Sequence, residues 1–360
     1  MTENIRLSIV VPVRDATSTL RNALVAILAS ELPRDSYELI VVDDGSSDGS
    51  DALASRYADT LVRLSGRRSG PAYARNRGAE LARAEVVAFV DADVVVRSDT
   101  LPRLLAILRD RSDLDAVSAT YDDTPPARNF VSQYWNLLLH FSEQRTAGDL
   151  AHFASACGAV RRNVFLSVGM FNEWSFGLAC MSGLEFGQRL QRAGHRAFLN
   201  RELRITNLKR WNLRSVVREV WNRSALLART LGYQPTRARV PNEIVFTLSR
   251  SVASVLAIIG AVALSASFLP RTNRSLESAI AIGLILLASL PVHRFYVRER
   301  GLAFATAVAP IHVLVQCVSG IALCTGWVLR DTVGDRLPNA TTRAYAEVGI
   351  EMWPPVPRNR

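Results

Sequence analysis

The chain has 360 residues, a formal net charge of +10 and 49% apolar residues, a length that suits one large domain or two ordinary ones. Much of the positive charge lies within residues 201–250, directly before the first of several long apolar runs. That position is typical of a cytoplasmic segment beside a membrane, so we disfavour nucleic acid as a partner. The four cysteines lack the spacing of metal ligands, which predicts reduced structural thiols.

The N-terminal half alternates apolar strands with helices. Three apolar, β-branched runs predict buried strands at Leu7–Val13, residues 38–42 and Val86–Val90. Helices are predicted after Thr17, which we expect to cap the first one, and at residues 72–84. This alternation predicts an α/β domain with a parallel, doubly wound sheet. Ligands of such sheets bind beyond the carboxyl ends of the strands.

Two acidic clusters fall at that edge. Asp91 and Asp93 flank Ala92 directly after a fully apolar strand, so an extended backbone directs both carboxylates to one side. Carboxylates together with phosphate oxygens suit Mg2+ or Mn2+. An isolated Asp-x-Asp is more often a solvated turn, but a second acidic strand end at Asp43 and Asp44 favours a metal site.

Two further segments are open to two interpretations. The stretch DDGSSDG, residues 43–49, can offer an acid to a nucleobase or ribose, or can form a tight turn in which Asp48 caps the next helix. The stretch Arg75-Asn76-Arg77 can supply cationic donors to a diphosphate, or can form a solvated basic helix face.

The order VVPVRD (10–15), VVDDGSSDG (41–49), GPAYARNRGA (70–79) and FVDADV (89–94) resembles family 2 glycosyltransferases. The resemblance implies the GT-A fold, a Rossmann-like, mostly parallel nucleotide-sugar-binding domain, here residues 1–210. It also implies contacts to base, ribose and nucleotide, and a metal held on the diphosphate. The implied nucleotide-sugar residues are Pro12, Asp43, Asp44, Arg75, Asp91, Ala92 and Asp93, of which Asp91 and Asp93 hold the metal.

A narrower likeness continues downstream. Residues 120–140, 156–165 and 207–215 look like a membrane-bound bacterial subgroup of that family. Such members place basic interfacial helices and a few membrane spans after the catalytic domain. We therefore predict amphipathic helices at 211–243, a transmembrane region at 244–330 and a C-terminal tail at 331–360. About three spans are expected, at 251–269, 278–296 and 302–329.

These features predict a multi-pass protein of the bacterial inner membrane. No signal peptide is evident at the start of the sequence, so we expect the N-terminal domain in the cytoplasm. Three spans would then place the tail outside.

The resemblance fails at the helix that begins CMSGLEFGQRL, residues 180–190. The family carries Glu-Asp at the start of this helix, and the second acid deprotonates the acceptor. Here Ser182 and Gly183 stand at those positions. Loss of a general base raises a barrier by roughly 3 to 5 kcal/mol. The subgroup also commonly has a His ligand where this chain has Asn207, whose amide oxygen is a weaker candidate for the metal.

Three explanations remain open. Another acid can act as the base, with Glu185, Glu173, Asp122 and Asp123 as candidates. Alternatively, the acceptor is a phosphate or carboxylate oxygen that is already ionised, as in polyprenyl phosphate. Finally, the domain can bind the donor without turning it over.

Together these features predict a metal-dependent, inverting glycosyltransferase of cell-envelope glycan synthesis. It would move a sugar from a nucleotide-diphosphate donor to a membrane lipid, a polyprenyl-linked acceptor or a glycan at the cytoplasmic membrane face. The alternative is a catalytically impaired membrane protein that binds the donor or serves as a scaffold for glycan-assembly partner proteins.

Overall fold

The computed structural model describes residues 5–64, 69–150, 153–173, 182–231, 283, 287 and 289–328. Contacts divide these residues into two compact units. The first contains the residues up to Arg128 together with Glu143–Arg210, and the second contains Asn129–Ser142 together with the described residues from Trp211 onward.

The first unit is built around one sheet. Its strands are β1 (Leu7–Val13), β2 (Tyr37–Asp43), β3 (Thr60–Arg63), β4 (Val86–Val90), β5 (Val94–Val96), β6 (Ala116–Tyr121), β7 (Gly148–Leu150), β8 (Cys157–Arg161) and β9 (Ala197–Asn207). Its helices are α1 (Thr17–Leu28), α2 (Ser50–Ala54), α3 (Pro71–Leu81), α4 (Thr100–Asp110), α6 (Arg162–Ser167) and α7 (Ser182–Arg192). Helix α5 (Phe130–Thr146) contributes residues to both units.

The sheet is mixed, which corrects the prediction of a mostly parallel, doubly wound sheet. The strand order is β3-β2-β1-β4-β8-β6-β9-β5, with β7 against β9. The pairs β3–β2, β2–β1, β1–β4 and β6–β9 are parallel, whereas β4–β8, β8–β6, β9–β5 and β9–β7 are antiparallel. Strand β8 separates two parallel blocks because it runs against both of its neighbours.

The predicted central strands are confirmed and buried on both faces. Strands β1, β2 and β4 are buried along their whole length, as their continuous apolar runs require in a sheet covered on both sides. Successive residues of β1 enter opposite cores, with Ile9 and Val11 on the face of α1 and α4, and Val10 on the face of α3. The sheet therefore fixes the positions of the loops at its carboxyl edge.

Five phenylalanines join the carboxyl half of the sheet to α7, and each buried ring contributes about 1.5 to 3 kcal/mol. Ring centroids of Phe89 and Phe171 lie 5.1 Å apart, and those of Phe171 and Phe186 also lie 5.1 Å apart. Phe153 and Phe165 complete the cluster. It packs Phe186 of α7 against Phe171, and Phe171 in turn against Phe89 at the end of β4.

The start of α1 differs from the prediction that Thr17 caps it. Thr17 is the first helical residue, and its backbone N–H donates to Oδ2 of Asp48 at 3.0 Å. Asp48 also accepts from the N–H of Ser50 at 3.0 Å, at the start of α2. One carboxylate thus serves two helix starts, and the cap of α1 comes from a loop thirty-one residues away.

The second unit is helical. Besides its part of α5 it contains α8 (Leu213–Leu231), α9 (Leu290–Arg300) and α10 (Leu302–Val328). The hydroxyls of Ser224 and Ser319 lie 2.8 Å apart, and a Cβ on Gly326 would come within 2.2 Å of the carbonyl oxygen of Ala225. Small residues therefore let α8 and α10 pack closely. Helix α8 falls within the predicted helices at 211–243, of which residues 232–243 lie outside the described part.

Among the described residues, one helix is long and apolar enough to cross a membrane, α10. It falls on the predicted span 302–329 and contains Pro310. The predicted span 251–269 lies outside the described residues. The predicted span 278–296 is described only at residues 283, 287 and 289–296, and its end overlaps α9, which carries three arginines and a glutamate. A total of three spans stays a prediction.

Candidate active site

The candidate site lies at the carboxyl edge of β1, β2 and β4. Register pairs Val13 of β1 with Asp43 of β2, and β4 runs parallel to β1 on its other side. Asp91 follows β4 directly, and its backbone N–H donates to the carbonyl of Ala156 at 2.9 Å. Both acidic clusters therefore lie at the edge that the sequence predicted. Pro12 is buried within β1, opposite Val42.

The Asp-x-Asp segment joins β4 to β5. Its last residue is tied to the end of β9, because the carbonyl of Asp93 accepts from the N–H of Leu208 at 2.8 Å. Burial and the negative charge of Asp91 raise the pKa of Asp93 to about 6, against the opposing charge of Lys209. The two carboxylates at close range therefore oppose each other's ionisation, and a bound cation would relieve this repulsion. Ala92 between them is buried.

Asn207 lies beside this segment, since it pairs with Val94 across β5 and β9. It is buried, and its amide oxygen accepts from the N–H of Lys209 at 2.9 Å. That oxygen retains a second lone pair, so it can still contribute to a cation. Lys209 is a further residue beside the site that the sequence did not single out, although it lies within residues 207–215, one of the segments that resemble the membrane-bound subgroup.

A divalent cation fits this donor set. In the described part of the chain, no group of three or more His, Cys, Asp or Glu side chains could hold a metal. Asp91 and Asp93 with one amide oxygen would be an incomplete shell for Mg2+ or Mn2+, which commonly complete theirs with water and substrate phosphates. The residues present therefore suit a cation that arrives with, or is completed by, a phosphorylated ligand.

Arg75 is the cation nearest to these acids. The side chain is 3% exposed, and its Nη2 donates to Oδ1 of Asp91 at 2.5 Å. Its Nε and Nη1 are buried without a hydrogen-bond partner. Buried donors without partners are costly, so this guanidinium has the capacity to bind an anion at little further cost. Of the two interpretations of Arg75, the solvated basic face is therefore wrong.

Helix α3 is set in place by the second acidic cluster. The Asp44 carboxylate accepts from the N–H groups of Ser69 and Gly70, each at 2.9 Å, directly before α3 begins. Asp43 accepts from the N–H of Ser46 at 3.1 Å and so closes its own turn. Both carboxylates are buried. Each retains lone pairs, so a nucleotide contact in addition to these bonds stays a prediction.

The loop DDGSSDG is also joined by hydrogen bonds to the loop after β1. The N–H of Asp15 donates to Oγ of Ser46 at 3.0 Å, and Oδ1 of Asp15 accepts from the N–H of Ser47 at 2.8 Å. Asp15 adopts φ 46°, a left-handed conformation that is uncommon outside glycine. These hydrogen bonds give the loop a structural role, which does not exclude contact with a nucleotide.

The start of α7 replaces the acids that the family carries there. Ser182 is fully buried and its Oγ has no hydrogen-bond partner. A Cβ on Gly183 would come within 2.1 Å of the carbonyl oxygen of Phe153. Position 183 therefore has no room for any side chain in this structure.

The candidate bases each have hydrogen-bond partners. Both carboxylate oxygens of Glu185 accept from Arg189, at 2.5 and 2.8 Å. Oδ1 of Asp122 accepts from the N–H of Thr124 at 3.3 Å, and its other oxygen accepts from the hydroxyl of Thr206. The bond to Thr206 places Asp122 beside the end of β9, where Thr206 directly precedes Asn207.

The two other candidate acids differ in their surroundings. Glu173 accepts from the amide of Asn76 at 2.7 Å, and Arg77 lies 3.6 Å away. Asp123 is half-buried, directly after Asp122. Which acid, if any, acts as a base stays a prediction.

Cys157 lies close to the acidic strand end, opposite Val90. Burial raises the pKa of its thiol to about 12, and the charge of Asp91 adds to this effect. It is a free cysteine, as are Cys317 and Cys324. Cys157 is therefore an inert thiol, which agrees with a structural role.

Comparison with known proteins identifies the family that the N-terminal domain resembles. The profile of Glycosyl transferase family 2 matches residues 8–169. Glycosyltransferase AglE of Haloferax volcanii is 24% identical over 169 residues, which cover 46% of this chain and 55% of that protein. The poly(ribitol-phosphate) beta-glucosyltransferase of Bacillus spizizenii is 29% identical over 103 residues, which cover 27% of this chain and 16% of that protein. The chain thus spans about half the length of the first relative and less of the second.

Among solved structures, the fold is similar to that of the mannosyltransferase PcManGT from Pyrobaculum calidifontis, in complex with GDP-Man and Mn2+. The TM-score is 0.55 at 19% sequence identity, and the match covers 91% of this chain and 88% of the other. The first unit is accordingly a mixed α/β domain of the GT-A type. Residues 8–169, a little under half of the chain, thus form a domain that matches the family 2 glycosyltransferases.

Proposed function

We propose that the protein is a metal-dependent glycosyltransferase of cell-envelope glycan synthesis. It takes a sugar from a nucleotide-diphosphate donor and transfers it to a polyprenyl phosphate or another lipid-linked acceptor. A glycan acceptor is the broader form of the same proposal. The observation that carries the proposal is the buried Arg75 guanidinium, which holds two unpartnered donors directly beside the Asp91–Asp93 carboxylates.

The donor half of the site suits a diphosphate. Arg75 can donate to diphosphate oxygens through Nε and Nη1 while Nη2 stays on Asp91. Asp91 and Asp93, with Asn207 beside them, would hold Mg2+ or Mn2+, which would neutralise charge on the departing diphosphate. The complex of the structural neighbour with GDP-Man and Mn2+ supports this assignment. Asp43, Asp44 and Pro12 would line the nucleoside part.

The acceptor half favours a nucleophile that is already ionised. Position 183 cannot carry the family's acid, and Glu185 has both oxygens bonded to Arg189. A phosphate oxygen needs no base at neutral pH, because it has already lost its proton. It would attack the anomeric carbon and form the new carbon–oxygen bond as the bond to the diphosphate breaks. The configuration at that carbon would be inverted, and the nucleoside diphosphate would leave with the bonding electrons.

A membrane location agrees with such an acceptor. Helix α10 has the length and composition of a span, and α8, which packs against it, carries arginines in its first half. We infer attachment to the inner membrane of a bacterium, with the first unit on the cytoplasmic side. The lipid phosphate would then be presented at the membrane surface, where a water-soluble donor can also reach.

The closed position 183 also favours one second candidate. A domain that binds the donor without turnover would retain Arg75, Asp91 and Asp93 and would lose the base, which is the pattern here. Such a protein would deliver the donor to partner enzymes or organise a glycan-assembly complex. It differs from the first proposal in one measurable property, which is turnover.

One experiment separates the two candidates. The detergent-solubilised chain is titrated with UDP-, GDP- and dTDP-sugars in the presence of Mn2+, and transfer to polyprenyl phosphate and to membrane lipids is then assayed. Turnover that is lost in Asp93→Ala and kept in Asp113→Ala, an exposed loop acid, is the expected result. Binding without transfer to any acceptor supports the second candidate. Absence of binding contradicts both.

A further inference from the structure

Arg75 has a property that its contact with Asp91 alone does not explain. Its guanidinium is almost fully buried, yet Nε and Nη1 both lack hydrogen-bond partners. A buried donor without a partner destabilises the folded state, so folded proteins rarely leave two on one side chain. These donors are therefore suited to a ligand that the site meets only part of the time.

The guanidinium is also held in place by its surroundings. Its central carbon lies 5.8 Å from the ring centre of Phe171. The backbone of Phe171 is fixed by Asn76, the next residue along α3. The N–H of Phe171 donates to Oδ1 of Asn76 at 3.0 Å, and Nδ2 of Asn76 donates to the carbonyl of Phe171 at 2.8 Å. We therefore expect the positive charge of Arg75 to stay beside Asp91 whatever binds there.

A second cation at Asp91 must then share one carboxylate with Arg75. Like charges at such range repel strongly where water is largely excluded. A diphosphate removes this conflict, because its oxygens can accept from Nε and Nη1 and its charge offsets that of both cations. The affinity of the metal should thus depend on whether the diphosphate is present.

We propose that Arg75 couples the binding of the divalent cation to that of the nucleoside diphosphate. Alone, the guanidinium opposes the cation at Asp91, and with the diphosphate bound it becomes one of the groups that hold the complex. The proposal rests on the proposed function, since it takes a nucleoside diphosphate as the ligand. Binding free energies are linked, so the cation must raise nucleotide affinity by the same factor.

The test measures Mn2+ binding to the full-length solubilised chain, from the electron paramagnetic resonance signal of free Mn2+. Titrations are made without nucleotide and with UDP, GDP or dTDP. For the wild type we expect nucleotide to tighten Mn2+ binding by about tenfold or more, within the usual range of coupling between sites. For Arg75→Gln we expect Mn2+ alone to bind about tenfold more tightly than in the wild type. Nucleotide should then tighten Mn2+ binding by a smaller factor than in the wild type, because only the direct contact between diphosphate and cation remains.

Two variants control for charge and for folding. Arg75→Lys keeps the positive charge, so Mn2+ alone should bind as weakly as in the wild type. Arg34→Met removes a charge before β2, at the opposite edge of the sheet, and should leave both affinities unchanged. Thermal unfolding of each variant verifies that it is folded.

The outcomes are distinct. If UDP, GDP or dTDP binds but Arg75→Gln binds Mn2+ no more tightly than the wild type or Arg75→Lys, the coupling by Arg75 is refuted and the proposed function stands. A wild type whose Mn2+ affinity is the same with and without a bound nucleotide refutes it too, even where Arg75→Gln does not fold. If no nucleoside diphosphate binds in any titration, the proposed function fails first.

Discussion

The carbonyl oxygen of Phe153 lies 2.1 Å from the place that a Cβ on Gly183 would take. The N–H of Phe153 in turn donates to the carbonyl of Gly183 at 3.1 Å. The first turn of α7 and the segment before β8 thus touch through their backbones. Members of the family carry an acid in this turn. In this chain the carbonyl group of Phe153 occupies the space that such a side chain would need.

Gly183→Ala gives a test in which two effects have opposite signs. Helix propensity alone favours Ala over Gly by about 1 kcal/mol within a helix. The contact with Phe153 opposes it, because overpacking costs typically about 1 to 3 kcal/mol and backbone cannot move aside as a side chain can. We expect a lower unfolding temperature, measured by circular dichroism in detergent. An increase would mean that the turn is looser than the structure indicates.

The same contact predicts the outcome of restoring the family's acids. Ser182→Glu combined with Gly183→Asp should fail to fold, or should unfold at a clearly lower temperature, and should not gain transfer to hydroxyl acceptors. Expression level and thermal unfolding are measured before transfer. A folded double variant with faster transfer to a hydroxyl acceptor would show that only the base is missing.

Ser182→Ala is the matched change in the same turn. The hydroxyl is fully buried and has no hydrogen-bond partner, so its removal should leave stability unchanged or raise it by about 1 kcal/mol. Transfer activity should also be unchanged, because a buried side chain does not contact the acceptor. Denaturant unfolding and the transfer assay check both. A tenfold or greater loss of the transfer rate would assign Ser182 a role in catalysis.

The sequence predicts the position of the acidic strand ends well, because its signals are local. An unbroken apolar run such as Val86–Val90 indicates a buried strand, and the acid that follows it then lies at the edge. Strand β8 gives no comparable signal, because Gly158 interrupts its apolar run and Arg161 ends it. Its antiparallel insertion between β4 and β6 makes the sheet mixed, and this could not be predicted from alternation of strands and helices.

Contacts across long sequence separations account for the rest. The cap of α1 comes from Asp48 rather than Thr17, and the clash at Gly183 comes from Phe153, thirty residues earlier. The sequence shows which residue types are present, whereas these partners depend on how loops meet. For the same reason the pairing of Arg75 with Asp91 follows from the fold alone.

Asp48 predicts a pH dependence of stability. Burial opposes ionisation, but hydrogen bonds from Ser50 and Thr17 prevail and hold the pKa of Asp48 well below its usual range. A depressed folded pKa stabilises the protein above the unfolded pKa of about 3.9, and this stabilisation is lost as the pH falls through the folded value. Asp48→Asn should therefore cost about 1 kcal/mol at pH 7, the usual worth of a helix cap.

The difference between wild type and Asp48→Asn should be constant from pH 7 to about pH 5 and should shrink below about pH 4. Urea unfolding at fixed pH values measures it. A difference that stays the same down to pH 3 would mean that the charge of Asp48 does not contribute, and that the geometry of the cap alone does.

Glu185 is the candidate base that follows the altered turn in α7. Arg189 donates to both of its oxygens and also to the carbonyls of Val168 and Met170, each at 2.5 Å. Met170 adopts φ 55°, so these hydrogen bonds from Arg189 hold a strained turn directly before Phe171. Glu185 therefore has a structural partner and needs no catalytic role. Glu185→Gln should keep transfer within about threefold, far from the hundredfold or greater loss that follows removal of a base.

Arg189→Met should be the more damaging change, because it leaves the two carbonyls of the turn without their donor. We expect it to lower stability by about 2 to 3 kcal/mol and to weaken nucleotide binding through Phe171 and Arg75. Transfer rates and thermal unfolding of both variants are compared. If Glu185→Gln lost a hundredfold or more in transfer at an unchanged unfolding temperature, Glu185 would be the base, and an acceptor with a hydroxyl nucleophile would replace the ionised one proposed above.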